Sequence, residues 1–166
     1  MERSWIKGRV FVVDDDPVLL AFLEGALAKS GYLVQAFESA RSALHAASID
    51  RPAIWLIDIR MPDMDGLEVA QHVQRLDAVP AVIFTTAYDA YAVKAFEVRA
   101  VDYLVKPIRF ARLFEALSRA RTQQSLRTDA LRELQTGPRT HLSVNERGRI
   151  HLVPVADIAY LKADTK

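Results

Sequence analysis

Ile54-Trp55-Leu56-Ile57-Asp58-Ile59-Arg60-Met61-Pro62-Asp63-Met64-Asp65-Gly66 places four apolar residues directly before a carboxylate, with a Pro and an Asp-Gly pair soon after it. An unbroken apolar run of that length reads as a strand buried on both faces. Pro62 and Asp65-Gly66 then force an immediate turn. Asp58 therefore stands at the carboxyl end of a buried strand, and in an open α/β sheet that end is where ligands and chemistry gather. A second stretch repeats the arrangement: Val10-Phe11-Val12-Val13 leads into Asp14-Asp15-Asp16-Pro17. Acids at two strand ends that lie side by side repel unless positive charge separates them. A hard cation with oxygen ligands, Mg²⁺ above all, resolves that conflict.

Working outward, the chain alternates strictly. Strands are expected over Arg9–Val13, Leu33–Phe37, Ala53–Ile57, Ala81–Thr85 and Asp102–Val105. Leu19, Phe22, Leu23, Ala26 and Leu27 follow helical spacing, with Gly31 as the C-cap. A short helix over Ser39–Ala47 takes Ser39 as its N-cap. Leu67–Leu76 and Asp89–Val98 supply two more helices, and a long one starts near Arg109 and runs to about Gln135. Five βα units predict a doubly wound parallel sheet of five strands. Gly137-Pro138 ends that pattern. Beyond it, His141–Val144 and Ile150–Val153 alternate like strands around Asn145-Glu146-Arg147-Gly148, a hairpin, and Ile158–Leu161 reads as a third strand. Residues 138–166 are roughly 29, too few to bury a core of their own. They read as the truncated, β-rich start of a second domain.

Composition narrows the classes. The chain has 166 residues and a net charge of +1, but residues 1–108 carry 11 Lys/Arg against 15 Asp/Glu and residues 109–166 carry 11 against 6. An acidic body with a basic C-terminal arm hints at an acidic partner such as nucleic acid. The absence of Cys excludes disulfides, thiol catalysis and Cys-ligated zinc. No apolar stretch reaches membrane-spanning length, and Met-Glu-Arg-Ser-Trp-Ile-Lys lacks a signal-peptide core, so a cytoplasmic protein with no membrane partner is expected. His45, His72, His141 and His151 show no metal-ligand spacing.

Thr86 follows the fourth strand, Lys106 the fifth, and Tyr103 lies three residues before that Lys. The parallel sheet thus gathers Asp14, Asp15, Asp58, Thr86 and Lys106 on one rim. A dication, an ammonium and a hydroxyl around one carboxylate suit phosphoryl transfer, with Asp58 as an ionised nucleophile. Each residue has an ordinary structural role as well. Asp16 before Pro17 suits an N-cap, Asp63 and Asp65 suit turn positions, Lys106 a snorkelling surface side chain, and Tyr103 a half-buried aromatic. Their coincidence on one rim, in order, favours the chemical reading.

Val13-Asp14-Asp15-Asp16-Pro17, Asp58 with Pro62 and Gly66 behind it, Thr86-Ala87, and Tyr103 with Lys106-Pro107 together resemble a two-component response regulator receiver domain, over roughly residues 8–120. The resemblance implies a flavodoxin-like fold with strand order 2-1-3-4-5 and a receiver domain spanning 1–120. By it, Asp58 accepts a phosphoryl group from a sensor histidine kinase. Mg²⁺ is held by Asp14, Asp15, Asp58 and the main-chain carbonyl of Arg60. Lys106 and Thr86 contact phosphoryl oxygens, and Thr86 and Tyr103 form the switch pair. It also implies a cis Lys106-Pro107 bond, no enzymatic activity beyond the receiver's own phosphoryl transfer and dephosphorylation, and a homodimer through the face of the helix over Asp89–Val98 and the helix from Arg109.

A rival motif overlaps the first strand. Val10–Val18 also resembles the opening of haloacid dehalogenase-type phosphatases, with Asp14 as nucleophile, Asp16 as general acid and Thr85 or Thr86 with Lys106 later. Those enzymes need an acidic pair after the Lys, yet Asp129, Asp157 and Asp164 are isolated, and Asp58 would go unexplained. For output, Ala87–Val98 followed by Ala100–Ile108 resembles receivers coupled to LytTR-type DNA-binding domains, and Val153–Ala163 resembles the start of such a domain. This implies a helical linker over 121–137, a LytTR-type domain incomplete within 138–166, and DNA as partner of a longer parent rather than of this chain. The alternative is a protein-interaction switch pairing the leucines of the long helix with a partner helix, although their spacing is irregular for a coiled coil.

Overall fold

Strands that are apolar on both sides need cover on both faces, and the segments between them supply it. A computed structural model of the chain describes residues 6–87, 98–136, 141–146 and 149–154. Strands β1 (Arg9–Val13), β2 (Leu33–Phe37), β3 (Ile54–Asp58), β4 (Ala81–Thr86) and β5 (Asp102–Val105) form one parallel sheet in the order β2-β1-β3-β4-β5. The described helices are α1 (Pro17–Lys29), α2 (Ala40–Ala47), α3 (Gly66–Val73) and α4 (Phe110–Thr136). The helix expected over Asp89–Val98 lies outside the described residues except for Val98, which is buried.

The pleat sorts each strand onto two faces. Val10, Val12, Ile54, Leu56, Ile83 and Leu104 pack with Leu20, Leu23 and Leu27 of α1 and Leu113 and Leu117 of α4. Phe11, Val13, Trp55, Ile57 and Phe84 pack on the other side with Ala40 and Ala43 of α2 and Val69 and Val73 of α3. This is why the strands read as continuous apolar runs rather than as alternation.

Local chemistry sets the ends. Asp16 caps α1, accepting from the N–H groups of Val18 at 2.9 Å and Leu19 at 3.2 Å, with Pro17 at the first helical position. At the other end Ser30 is the C-cap, one residue earlier than expected. Gly31 follows at φ 89°, and the Gly31 N–H bonds the Ala28 carbonyl while the Tyr32 N–H bonds that of Leu27, a Schellman closure. Ser39 caps α2 as expected. Helix α3 stops at Val73 instead of Leu76, whose side chain is exposed and has no core to join. Strands β3 and β4 each run one residue further than the apolar pattern, because ladder pairing continues through Asp58↔Thr85 and Thr86↔Val105.

The chain divides by compactness into Met1–Arg127 and Thr128–Lys166, and the division falls within α4. In the second unit β6 (His141–Glu146) and β7 (Arg149–Pro154) pair antiparallel, with Glu146 opposite Arg149. Asn145 and Glu146, expected in the turn, extend the ladder instead, opposite Ile150 and Arg149. The strand expected at Ile158–Leu161 lies outside the described residues. Among the described residues no helix is long and apolar enough to cross a membrane.

Asp63 does more than turn the chain. Its carboxylate accepts from the backbone N–H groups of Ala40 at 3.3 Å and Arg41 at 3.1 Å, the first turn of α2. Burial works against its charged form, but these N–H donors outweigh it and hold the carboxyl below its ordinary value. A depressed pKa contributes stability above the unfolded-state value, lost as pH falls through the folded-state value. Asp63→Ala should therefore lower stability at neutral pH by about 0.5–1 kcal/mol, as loss of a cap does. In urea titrations the deficit should vanish in acid, where the native carboxyl is itself protonated.

Candidate functional site

The carboxyl ends of β1, β3, β4 and β5 meet on one rim, and each ends in a polar residue. Asp14 follows β1 and is 1% exposed; Asp58 closes β3 at 6%; Thr86 closes β4 and is fully buried. Lys106 follows β5, its N–H bonded to the Thr86 carbonyl at 2.7 Å. The Lys106 Nζ stands 2.7 Å from Asp14 Oδ2 and 3.0 Å from Asp58 Oδ2, bridging the two acids. Asp14 Oδ1 accepts from the Asp16 N–H at 2.9 Å, and Asp58 Oδ1 from the Arg60 N–H at 3.4 Å. The Lys106–Pro107 peptide is cis.

Each carboxylate is thus held from two sides, but the charges do not balance. Carboxylate oxygens of Asp14, Asp15 and Asp58 lie within 4.8 Å of one another. With all four groups ionised, these three carboxylates and one ammonium carry a net charge of −2. Burial raises the Asp58 pKa; the Lys106 hydrogen bond and charge pull it back, while the Asp14 charge adds to the rise, and the net shift is upward. For Lys106 burial works to lower the pKa, yet bonds and charges from Asp14 and Asp58 prevail and raise it, so the ammonium stays protonated. An all-oxygen cluster short of two positive charges suits a hard dication such as Mg²⁺. Asp15, Ile59, Arg60, Met61, Pro62 and Asp65 line an open depression of about 510 Å³ at its mouth.

The β3–α3 loop is built around Gly66. Its N–H bonds the Ile59 carbonyl at 2.8 Å, and a Cβ at this position would stand 2.3 Å from the Asp58 carbonyl oxygen. Only glycine permits that approach. Asp65 caps α3 through the Leu67 N–H at 2.7 Å. On β4 and β5, Phe84 pairs with Tyr103, and Thr86 lies two residues beyond Phe84. The pleat puts Thr86 and Tyr103 on the same sheet face as diagonal neighbours. The rim therefore brings together Asp14, Asp15, Asp58, Thr86 and Lys106, with the Arg60 backbone at its edge. Asp16 is engaged as a helix cap rather than facing the other acids, which removes the general acid that the phosphatase motif requires.

Sequence reasoning passed over three features of this domain. Phe22 on α1 and Phe110 on α4 meet at a ring-centroid distance of 5.1 Å, and Phe110 and Phe114 stack at 6.3 Å. Asp102 receives Arg112 and Arg119, each at 3.1 Å. Asp63 spans from the β3–α3 loop to α2. Exposed aromatics on two helices were a usable signal for the first. The other two join residues with no local pattern.

Because burial and the neighbouring carboxylate raise the Asp58 pKa, its ionised form costs stability at neutral pH. The sign follows from linkage: a raised acid pKa means a penalty that is complete above the folded-state value and absent below the unfolded-state one. Asp58→Asn should therefore be more stable than the native chain at pH 7, by about 1 kcal/mol. Denaturant melts across pH should show that advantage shrinking as acid protonates the native carboxyl, and an unchanged or lower midpoint at pH 7 would contradict it.

The response regulator receiver domain family matches residues 10–118. The positive alginate biosynthesis regulatory protein of Pseudomonas aeruginosa is 40% identical over 164 residues, covering 95% of this chain and 66% of that protein. The sensory transduction protein LytT of Bacillus anthracis is 30% identical over 159 residues, covering 92% of this chain and 65% of that one. The chain thus spans just under two thirds of the length of either relative. Among solved structures, response regulator protein TrrA from Thermotoga maritima, in complex with Mg²⁺-BeF, is 30% identical with a TM-score of 0.63, covering 68% of this chain and 97% of that one. Sheet order, site and family match agree, and the chain belongs to the response regulator receiver domain family.

Proposed function

We propose that this chain accepts a phosphoryl group on Asp58 from a phosphohistidine of a sensor kinase and passes the change to a C-terminal DNA-binding domain of the LytTR type. The observation that carries the first part is the bridging of Asp14 and Asp58 by one ammonium, at 2.7 and 3.0 Å. In the transfer an Asp58 oxygen attacks phosphorus, the P–N bond breaks, and its electron pair returns to the imidazole. Asp14, Asp15, Asp58 and the Arg60 carbonyl would hold Mg²⁺. When bound, that ion supplies positive charge to the phosphoryl oxygens and favours the ionised Asp58. The Mg²⁺-BeF complex of the Thermotoga protein supports this assignment.

Lys106 and Thr86 serve the phosphoryl oxygens in this reading. The new group carries about −1.5 to −2 charges by analogy with other phosphorylated side chains. Lys106 can turn from the carboxylates toward it, and the Thr86 hydroxyl can follow. Tyr103, beside Thr86 on the same sheet face, then has altered space to fill, and this pair is the switch. Val18, Phe22 and Phe110, exposed at 77%, 48% and 47%, flank the rim and suit an apolar partner surface that brings the donor histidine to Asp58.

The output reading rests on the C-terminal stretch. Alignment with the Pseudomonas and Bacillus relatives covers 95% and 92% of the chain and so continues past residue 118 into that stretch. A relative in Escherichia coli, 33% identical, is the transcriptional regulatory protein BtsR. We therefore assign residues 1–120 to the receiver, 121–137 to a helical linker and 138–166 to the start of a LytTR-type domain. The parent is cytoplasmic, acts as a homodimer and binds DNA through residues beyond this stretch.

The test is peptide-mapped mass spectrometry after incubation with acetyl phosphate, with and without Mg²⁺, on the native chain and Asp58→Asn. A Mg²⁺-dependent adduct on Asp58, absent in the variant, is expected. An adduct on Asp14 would overturn the assignment in favour of a phosphatase-like nucleophile. The absence of any adduct would sink the acceptor role with this class of donor.

A further inference from the structure

Helix α4 runs 27 residues, from Phe110 to Thr136, but its apolar anchoring ends early. Leu113, Ala116, Leu117 and Ala120 are fully buried in the core. From 121 to 132 no described side chain is buried, and Leu126 and Leu131 are 65% and 57% exposed. An amphipathic helix is ordinarily held by its apolar face. Here the helix keeps its course past the last apolar anchor, so something else holds it.

Three side chains past Ala120, at a spacing of three, reach polar groups of the body. Arg121 lies near the Tyr32 hydroxyl, and its charge works against the rise that burial gives that phenol's pKa. The Gln124 Nε2 donates to the Ala53 carbonyl at 3.2 Å and to the Val79 carbonyl at 3.1 Å. The Arg127 Nη1 donates to the same Val79 carbonyl at 3.2 Å. Residues three apart share a helix face, so 121, 124 and 127 form one stripe against the body. Ala53 and Val79 sit at the amino-terminal feet of β3 and β4, the two strands whose far ends carry Asp58 and Thr86. One amide nitrogen thus spans the feet of both strands.

We propose that residues 121–127 form a polar latch, in which Gln124 and Arg127 clamp α4 to the feet of β3 and β4 and can release it without disturbing the core beneath Leu113–Ala120. Release exposes two backbone carbonyls and a glutamine amide to water, which hydrates them well. By contrast, peeling Leu117 away would expose apolar surface. The segment therefore has two accessible states, clamped and free. The latch sets how much of α4 is rigid with the sheet. Gln124 is the sensitive member, because a slide of one strand foot against the other stretches one of its two bonds.

Hydrogen exchange followed by mass spectrometry on the full chain tests this, comparing the native protein with Gln124→Ala/Arg127→Ala and with Leu126→Ala. Alanine favours helix at both latch positions, so propensity alone would slow exchange. The latch variant should exchange amides of 121–127 about tenfold faster, the effect of losing bonds of this kind, with 113–120 unchanged. Leu126→Ala, on an exposed position of the same segment, should leave both stretches as they are. Should the double variant prove poorly folded, Gln124→Glu, which sets a carboxylate against two carbonyls, should open the same segment alone. Unchanged exchange at 121–127, or an equal rise at 113–120 and 121–127, would overturn the latch.

Discussion

At the carboxyl ends of β1, β3 and β5 a single ammonium faces two buried carboxylates, with a third acid at the mouth, and the rest of the domain keeps that imbalance in place. The parallel sheet is what makes it. Every strand points the same way, so every strand end arrives at one rim, and a polar residue after each apolar run must join the others there. Strand pairing through Asp58↔Thr85 and Thr86↔Val105 then fixes the acid, the hydroxyl and the lysine relative to one another with backbone hydrogen bonds. Asp58 and Thr86 belong to the ladder itself, and Asp14 and Lys106 follow their strands directly. The strain of the site is electrostatic, expressed in the raised pKa of Asp58, while the raised pKa of Lys106 records the carboxylates that hold its ammonium. A dication or a phosphoryl group changes that balance directly, which is the property a chemical switch needs.

What the sequence made legible was whatever it encodes locally. Four apolar residues before Asp58 announced a buried strand, Asp16-Pro17 announced a helix start, and Ser39 announced another. The rim followed from these, since parallel strands leave little freedom in where their ends meet. Residue-level limits were less legible where pairing outweighs side-chain character. Asn145 and Glu146 look like turn residues but sit in a ladder, and Thr86 extends β4 although the apolar pattern stops before it. Contacts between distant segments left no local trace. Nothing near Asp63 says that it reaches α2, and nothing in Gln124 or Arg127 says that their partners are carbonyls 45 to 71 positions earlier. Polar side chains on a helix read as solvated until a fold brings them an acceptor.

The sheet divides the molecule into two faces with different contents. One face packs leucines of α1 and α4, and the other packs the small residues of α2 with the aromatic group Phe11, Trp55 and Phe84. Phe11 bridges that second face, tilted against both Phe37 and Trp55. Thr86 and Tyr103 belong to it as well. A change at the rim therefore meets rigid rings and alanine-lined contacts there, with little slack, whereas the α1–α4 side reaches the surface through Phe22, Phe110 and Phe114. The chemistry is shared by both faces, but their mechanical character differs.

Gly66 bears on how such a chain can vary. Its N–H closes on the Ile59 carbonyl, making residues 59–66 a ring whose two ends are stitched together beside the end of β3. A ring fastened at its neck has a fixed root and a free rim. Substitutions at Met61 and Pro62 can reshape the entrance and its charge, while Arg60, Asp63 and the carboxylate keep their stations. The neck itself has no such latitude, because the Asp58 carbonyl occupies the volume a side chain would take. Diversity of partners can thus accumulate within a few residues of a centre whose own coordinates stay constant.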